Sequence, residues 1–186
     1  MNALLHVSNL IKSALERVAF VSGWLLVVLA AITCIDVFSR KLGIPIPLTK
    51  FQELEWHAHC ALFSLWMGYN YTINAHPRVD SYTETLGYRV KAWVEFCGCI
   101  VFAIPFIGLM AYYGWDFFWT SFRQGETSEH AIGLPYRWAI KGVFYVGLLL
   151  VLVGVVSVWL RLIAFLLGGR SQAETGLQIG HSELEA

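Results

Sequence analysis

The chain has 186 residues, 57% of them hydrophobic and only 14% charged, and its 13 Lys/Arg are matched by 13 Asp/Glu. A water-soluble domain carries roughly 25% charged residues, and the mean hydropathy here is +0.58, so a water-facing globular fold is excluded. Zero net charge offers no basic face for nucleic acid, and the composition reads as an all-α integral membrane protein in a lipid bilayer.

Residues 1–17 mix polar and apolar types. Leu4, Val7, Ile11, Leu15 and Val18 recur at helical spacing with Lys12, Glu16 and Arg17 between them. Two readings stay open: a short amphipathic helix lying in the membrane interface, or an extension of the first span. That span covers 18–38 and is read as an uncleaved helix, being long enough to cross. It stops before Gly43, Pro45 and Pro47, since closely spaced prolines favour extended chain.

The second predicted span, 51–73, is the most polar, with Glu53, Glu55, His57, His59 and Asn70. Polar groups on a membrane helix face protein rather than lipid, so this helix is expected to face a partner. The third span, 93–119, holds Pro105, which predicts a kink. A polar loop, 121–136, follows, and Pro135 suits the first turn of the last helix. The fourth span, 138–167, exceeds the roughly 20 residues needed to cross. The tail, 168–186, is polar and is expected to stay without packed structure.

With four spans, both termini share one side. Placing them inside gives seven Lys/Arg in the inner set and six in the outer, so charge asymmetry does not orient the chain.

Cys34, Cys60, Cys97 and Cys99 all lie in apolar runs, and the last two form C-G-C. Residues two apart on a helix point to different faces, so the cysteines read as small core residues. The ends of the predicted spans bring Asp36, Glu53, Glu55, Asp116 and Lys141 to one membrane face. A Lys in a span is costly unless paired, so Lys141 is expected either to pair with one of those carboxylates or one on a partner, or to snorkel to the headgroups. Glu53/His57 and Glu55/His59 are i,i+4 pairs, but no Glu-x-x-His of the di-metal bundles is present, and no metal or other cofactor is expected. A haem anchor wants axial His on two helices, whereas His57 and His59 share one. Read this way, the chain is no enzyme but an accessory subunit; a membrane anchor of a haem- or quinone-linked redox complex is the alternative.

Four stretches in order carry a resemblance: Gln52-Glu53-Leu54-Glu55-Trp56-His57; Trp66-Met67-Gly68; His76-Pro77-Arg78-Val79-Asp80; and Gly125-Glu126-Thr127-Ser128 with Gly133-Leu134-Pro135 and Trp138. Over about 18–165 the chain resembles the small (Q, DctQ-type) permease subunit of tripartite ATP-independent periplasmic (TRAP) transporters. The resemblance implies a scaffold for a large elevator-type permease (M) subunit. It also implies a periplasmic substrate-binding (P) protein as partner, sodium-driven uptake of an organic anion such as a carboxylate, and a bacterial inner-membrane location with both termini cytoplasmic. It marks Glu53, Arg78, Asp80, Thr127, Ser128 and Pro135 as candidate contact residues; Lys141 joins them on the physical argument above.

Overall fold

The computed structural model describes residues 2–76 and 85–179. Among them there is no strand; the chain is helix joined by short loops. Helix α1, Asn2–Leu42, is one unbroken element, so the N-terminal segment continues into the first predicted span without a break. No proline interrupts it, and at 1.5 Å per residue it runs roughly 60 Å, about twice the hydrocarbon thickness. It ends where Gly43 takes φ +66°, with the Ile44 N–H donating back to the Ser39 carbonyl at 2.9 Å. That is the left-handed glycine stop expected before a Pro-rich loop.

Helix α2, Leu48–Thr72, opens directly after Pro47. The third stretch is helix α3, Tyr88–Gly98, a π-helical turn, Cys99–Ala103, and helix α4, Ile104–Gln124. The predicted disturbance at Pro105 takes this form. Its ring supplies no N–H to the preceding turn, and the backbone widens instead, the Ile104 N–H reaching back to the Cys99 carbonyl. A π-turn absorbs the proline and keeps the stretch continuous. Helix α5, Arg137–Leu166, and the short α6, Gln172–Thr175, complete the chain.

α1, α5 and the continuous stretch Tyr88–Gln124 are long and apolar enough to cross a membrane. The chain is therefore an all-α, multi-pass membrane protein. α2 is long enough at 25 residues but too polar to stand with them by composition.

The helices fall into two compact units. The first comprises 1–16, 67–109 and 150–186. Its core joins Ala92 and Cys99 to Val151, Val155, Val158, Leu162 and Leu166 of α5, and to Leu177 and Ile179 beyond α6. The tail is thus packed over the residues described, against the sequence expectation. Ser171 and Glu174 form a reciprocal capping box on α6, and Gly176 ends it in the left-handed region. Leu177 and Ile179 then turn inward and are almost fully buried. Polar composition hid two anchors and a cap.

In the same unit Arg161 of α5 is 7% exposed. It donates to Ser8 Oγ (2.8 Å) and Asn9 Oδ1 (2.7 Å) of α1, and to the Thr175 carbonyl at 2.6 Å. Ser8 is fully buried against Ser157, while Val7 of the predicted apolar stripe is exposed. The buried seam of this part of α1 is therefore Ser8 and Leu15. α2 and α5 touch backbone to backbone here: a Cβ on Gly154 would lie 2.5 Å from the Gly68 carbonyl oxygen. Small residues allow such an approach in lipid.

The second unit comprises 17–66 and 110–149. Ala19, Ser22, Ile32, Asp36 and Ser39 form the buried seam of α1, and Trp66 Nε1–H donates to the Ala19 carbonyl at 2.8 Å. Gly147 of α5 lies against the Ser64 backbone. α4 and α5 are joined by rings: Phe118 stacks on Tyr145, and Phe122 meets Trp138 edge-on. Asp36, Glu53, Glu55, Asp116 and Lys141 all belong to this unit.

Candidate functional site

The polar side chains of the second unit converge on the loop between α4 and α5. Glu53, one turn into α2 and 6% exposed, accepts a hydrogen bond from Ser128 Oγ–H and another from the Leu134 N–H at 2.5 Å. The loop folds on itself beneath that carboxylate. Ser128 N–H donates to the Leu134 carbonyl at 3.1 Å, and Gly133 N–H to the His130 carbonyl at 2.9 Å. A Cβ at Gly133 would collide with the Ser128 side chain and come within 2.6 Å of Glu53 Oε1, so the turn admits glycine alone. A largely buried carboxylate near the start of α2 is satisfied here by donors from a loop.

Glu126 is the loop's second fastening. Its carboxylate is bonded to Lys141 Nζ, and Arg137 Nε stands 3.9 Å away. The Lys141 ammonium holds the Glu126 carboxyl below the usual carboxylate range. Lys141 also lies over the Phe117 ring, 4.1 Å from its centroid, a cation–π contact that helps keep the ammonium at this depth. Arg137 reaches Glu129 at 3.1 Å, its N–H donates to the Glu126 carbonyl at 2.9 Å, and its guanidinium lies over Trp56. Arg137 is the first residue of α5, whereas Pro135 sits two positions ahead of it, followed by Tyr136 at φ +62°. The proline therefore precedes the helix instead of opening its first turn.

Lys141 is paired within the chain, but its partner is none of Asp36, Glu53, Glu55 or Asp116. Asp36 is held by Arg40 one turn along α1, at 2.8 Å, and Glu53 is occupied by the loop. The loop brings Glu126 back over the first turns of α5, a return that the order of the helices does not show. Thr127 and Pro135 are exposed in the same loop. Arg78 and Asp80 lie outside the described residues. His57 Nδ1 is 2.5 Å from the Glu53 backbone carbonyl, so that pair is joined through the backbone.

The residues missed from the sequence are Glu126 as the counter-ion, and Arg137 and Glu129 as its neighbours. Their signal was the opposite charge at the two ends of one loop. Between them lies a recess of about 230 Å³ lined by Glu53, Trp56, Ser128, Glu129, His130 and Arg137. A second, of about 400 Å³, is lined by Trp56, Cys60, Phe117, Arg137, Ile140, Lys141 and Phe144. The charges at Glu53, Glu126, Arg137 and Lys141 are spent on the chain's own groups, so the arrangement fixes a loop.

No curated protein and no solved structure matches the chain. The family described as tripartite ATP-independent periplasmic transporters, DctQ component, matches residues 29–164, a stretch that contains the end of α1, all of α2, α3 and α4, the fastened loop and most of α5. It is a family of transporter subunits and not of enzymes or redox anchors. The chain belongs to this DctQ family, as the small membrane subunit of a TRAP transporter.

Proposed function

We propose that this chain is the membrane-fixed scaffold for the large permease subunit of its transporter, in sodium-driven uptake of an organic anion, such as a carboxylate, delivered by a periplasmic binding protein. The observation that carries the reading is the fastened loop. Glu53 accepts from Ser128 and the Leu134 N–H, while Glu126 pairs with Lys141 and Arg137, which suits a rigid docking surface and commits these four charges to the chain's own groups. Substrate and sodium chemistry then belong to the large subunit.

In this reading α2 crosses the bilayer as a fourth span, shielded by protein on its polar side, and both termini lie in the cytoplasm of a bacterial cell. The Glu126–Arg137 loop then faces the periplasm, where the binding protein docks.

The test is recovery of the tagged chain from its native membrane in mild detergent, with mass spectrometry of the eluate. A near-stoichiometric large polytopic subunit is the expected result, and a chain that comes out alone, or with redox subunits, overturns the reading. Cysteine-accessibility labelling at Thr127 and Gln172 tests the topology: Thr127 should react from the periplasmic side and Gln172 from the cytoplasmic side only.

A further inference from the structure

The two recesses beside the fastened loop share a wall, since Trp56 and Arg137 line both. The smaller is ringed by loop groups, among them Glu129 and His130. The larger, of about 400 Å³, continues along Cys60, Phe117, Ile140 and Phe144, and has the volume of a small-molecule site, roughly 300–1,000 Å³. Arg137, Ile140, Lys141 and Phe144 are spaced i, i+3, i+4 and i+7 on one face of α5, and Trp56 and Cys60 are spaced i, i+4 on α2. Both rows lead away from the loop. The pair of recesses is therefore charged at the loop end and apolar beyond it, over about 10 Å of α5. That is the polarity of an amphiphile.

The charges around the recesses decide its headgroup. Glu53 and Glu129 stand against Arg137 and Lys141 and cancel them, so the wall suits a group carrying both signs better than an anion. Glu53 and Lys141 are already bonded within the chain. Arg137 has its charge matched but not its donors. A guanidinium carries five N–H groups. One bonds Glu129 at 3.1 Å, and Nε stands 3.9 Å from Glu126, beyond hydrogen-bond length. The Glu129 side chain is 86% exposed, so its carboxylate keeps acceptor capacity for a second partner.

We propose that the two recesses form one seat for a zwitterionic phospholipid with a primary ammonium, of the phosphatidylethanolamine type. Arg137 binds the phosphate, Glu129 accepts from the ammonium, and one acyl chain lies in the groove between Cys60 and Phe144. The chain covers Phe117, which is 51% exposed, and the headgroup ties the loop to the start of α5. The seat lies wholly on this chain and does not rest on the scaffold reading.

The experiment uses the whole transporter in vesicles of phosphatidylethanolamine and phosphatidylglycerol. The probe is phosphatidylethanolamine with a diazirine in one acyl chain, and phosphatidylglycerol with the same chain is the comparison. Adducts are mapped by mass spectrometry of peptides. Phosphatidylethanolamine should label Cys60, Phe117 or Phe144 severalfold more than the exposed Phe20 and Val27 of α1, and severalfold more than phosphatidylglycerol does. Cys60→Trp, which fills the groove, should abolish the excess while the chain stays at its normal level in the membrane. Glu129→Gln should remove the preference between the two lipids and leave labelling of the groove in place. Labelling of the groove no stronger than at Phe20 and Val27 overturns the seat, and so does labelling seen only when the chain is reconstituted alone, since a protein neighbour then fills the groove. Equal labelling by both lipids, or an E129Q chain that keeps the preference, overturns the assignment of the headgroup.

Discussion

Glu53 and Ser128 are 75 positions apart and share a hydrogen bond from the Ser128 hydroxyl to the Glu53 carboxylate. The Leu134 N–H shares that carboxylate, so one side chain at the start of α2 closes the loop that connects α4 to α5. The loop has few apolar groups to bury, and its order comes from this acceptor and from the Glu126–Lys141 pair.

Replacing Glu53 with Leu leaves the Leu134 N–H and the Ser128 hydroxyl without an acceptor. Hydrogen bonds to a charged group contribute about 1.5–3 kcal/mol, and the loop should open by an amount in that range. Trypsin cleavage at Arg137 should become roughly ten- to a hundredfold faster than in the unaltered chain, and E53Q, which keeps an acceptor oxygen, should fall between. An unchanged cleavage rate for E53L would remove Glu53 from the role described here.

The second fastening should respond to pH. Glu126 is held below its ordinary value of 4.5 by Lys141. A carboxylate whose pKa is depressed on folding adds stability above its unfolded value, and that contribution is lost as pH falls through the folded value. Loop protection should therefore be level from neutrality down to about pH 5 and decline below it. In E126Q the decline should be shallower. K141M should weaken protection at neutral pH, and in a double-mutant cycle its effect should not add to that of E126Q. The pair is partly exposed, so the coupling should be modest, at most about 1 kcal/mol.

The α2–α5 seam has no room for a side chain at Gly154, where a Cβ would lie 2.5 Å from the Gly68 carbonyl oxygen. Gly154→Leu should force the helices apart at a cost of about 1–3 kcal/mol or more. The measurement is the midpoint of unfolding of the detergent-solubilised chain, followed by circular dichroism. Gly108→Leu, at a position open to the surroundings, should leave that midpoint nearly unchanged.

Arg161 holds the tail. Ending the chain after Ser171 removes the Thr175 and Gly176 carbonyls that its guanidinium binds, together with the buried Leu177 and Ile179. Ser8 and Asn9 remain as acceptors, but a buried cation that loses part of its acceptor set is destabilised. The truncated chain should lose thermal stability in detergent relative to the full chain. If the two melt alike, the tail is not the fastening described here.

Much of this was legible in advance. Helix is the only way for long apolar segments to satisfy their backbone groups in lipid, so the apolar runs around Leu26, Ile107 and Leu149 announce α1, α4 and α5 without any knowledge of packing. Gly43, Pro45 and Pro47 end α1 by local geometry, and Pro105 predicts a disturbance where the π-turn lies. Glu53 and Lys141 stood out because ionisable groups on membrane helices require partners.

What those partners are was settled by the tertiary structure. Lys141 could have met any of several carboxylates, and Glu126 takes it because the loop folds back along α5. The tail reads as polar chain, yet a capping box turns Leu177 and Ile179 into the core. Sequence by itself determined which segments must be helical and apolar, since that follows from composition and from the backbone's need for hydrogen bonds. Only the fold decided which polar groups meet, because a hydrogen bond depends on ångström-scale placement of atoms that lie 15 to 153 positions apart in the chain.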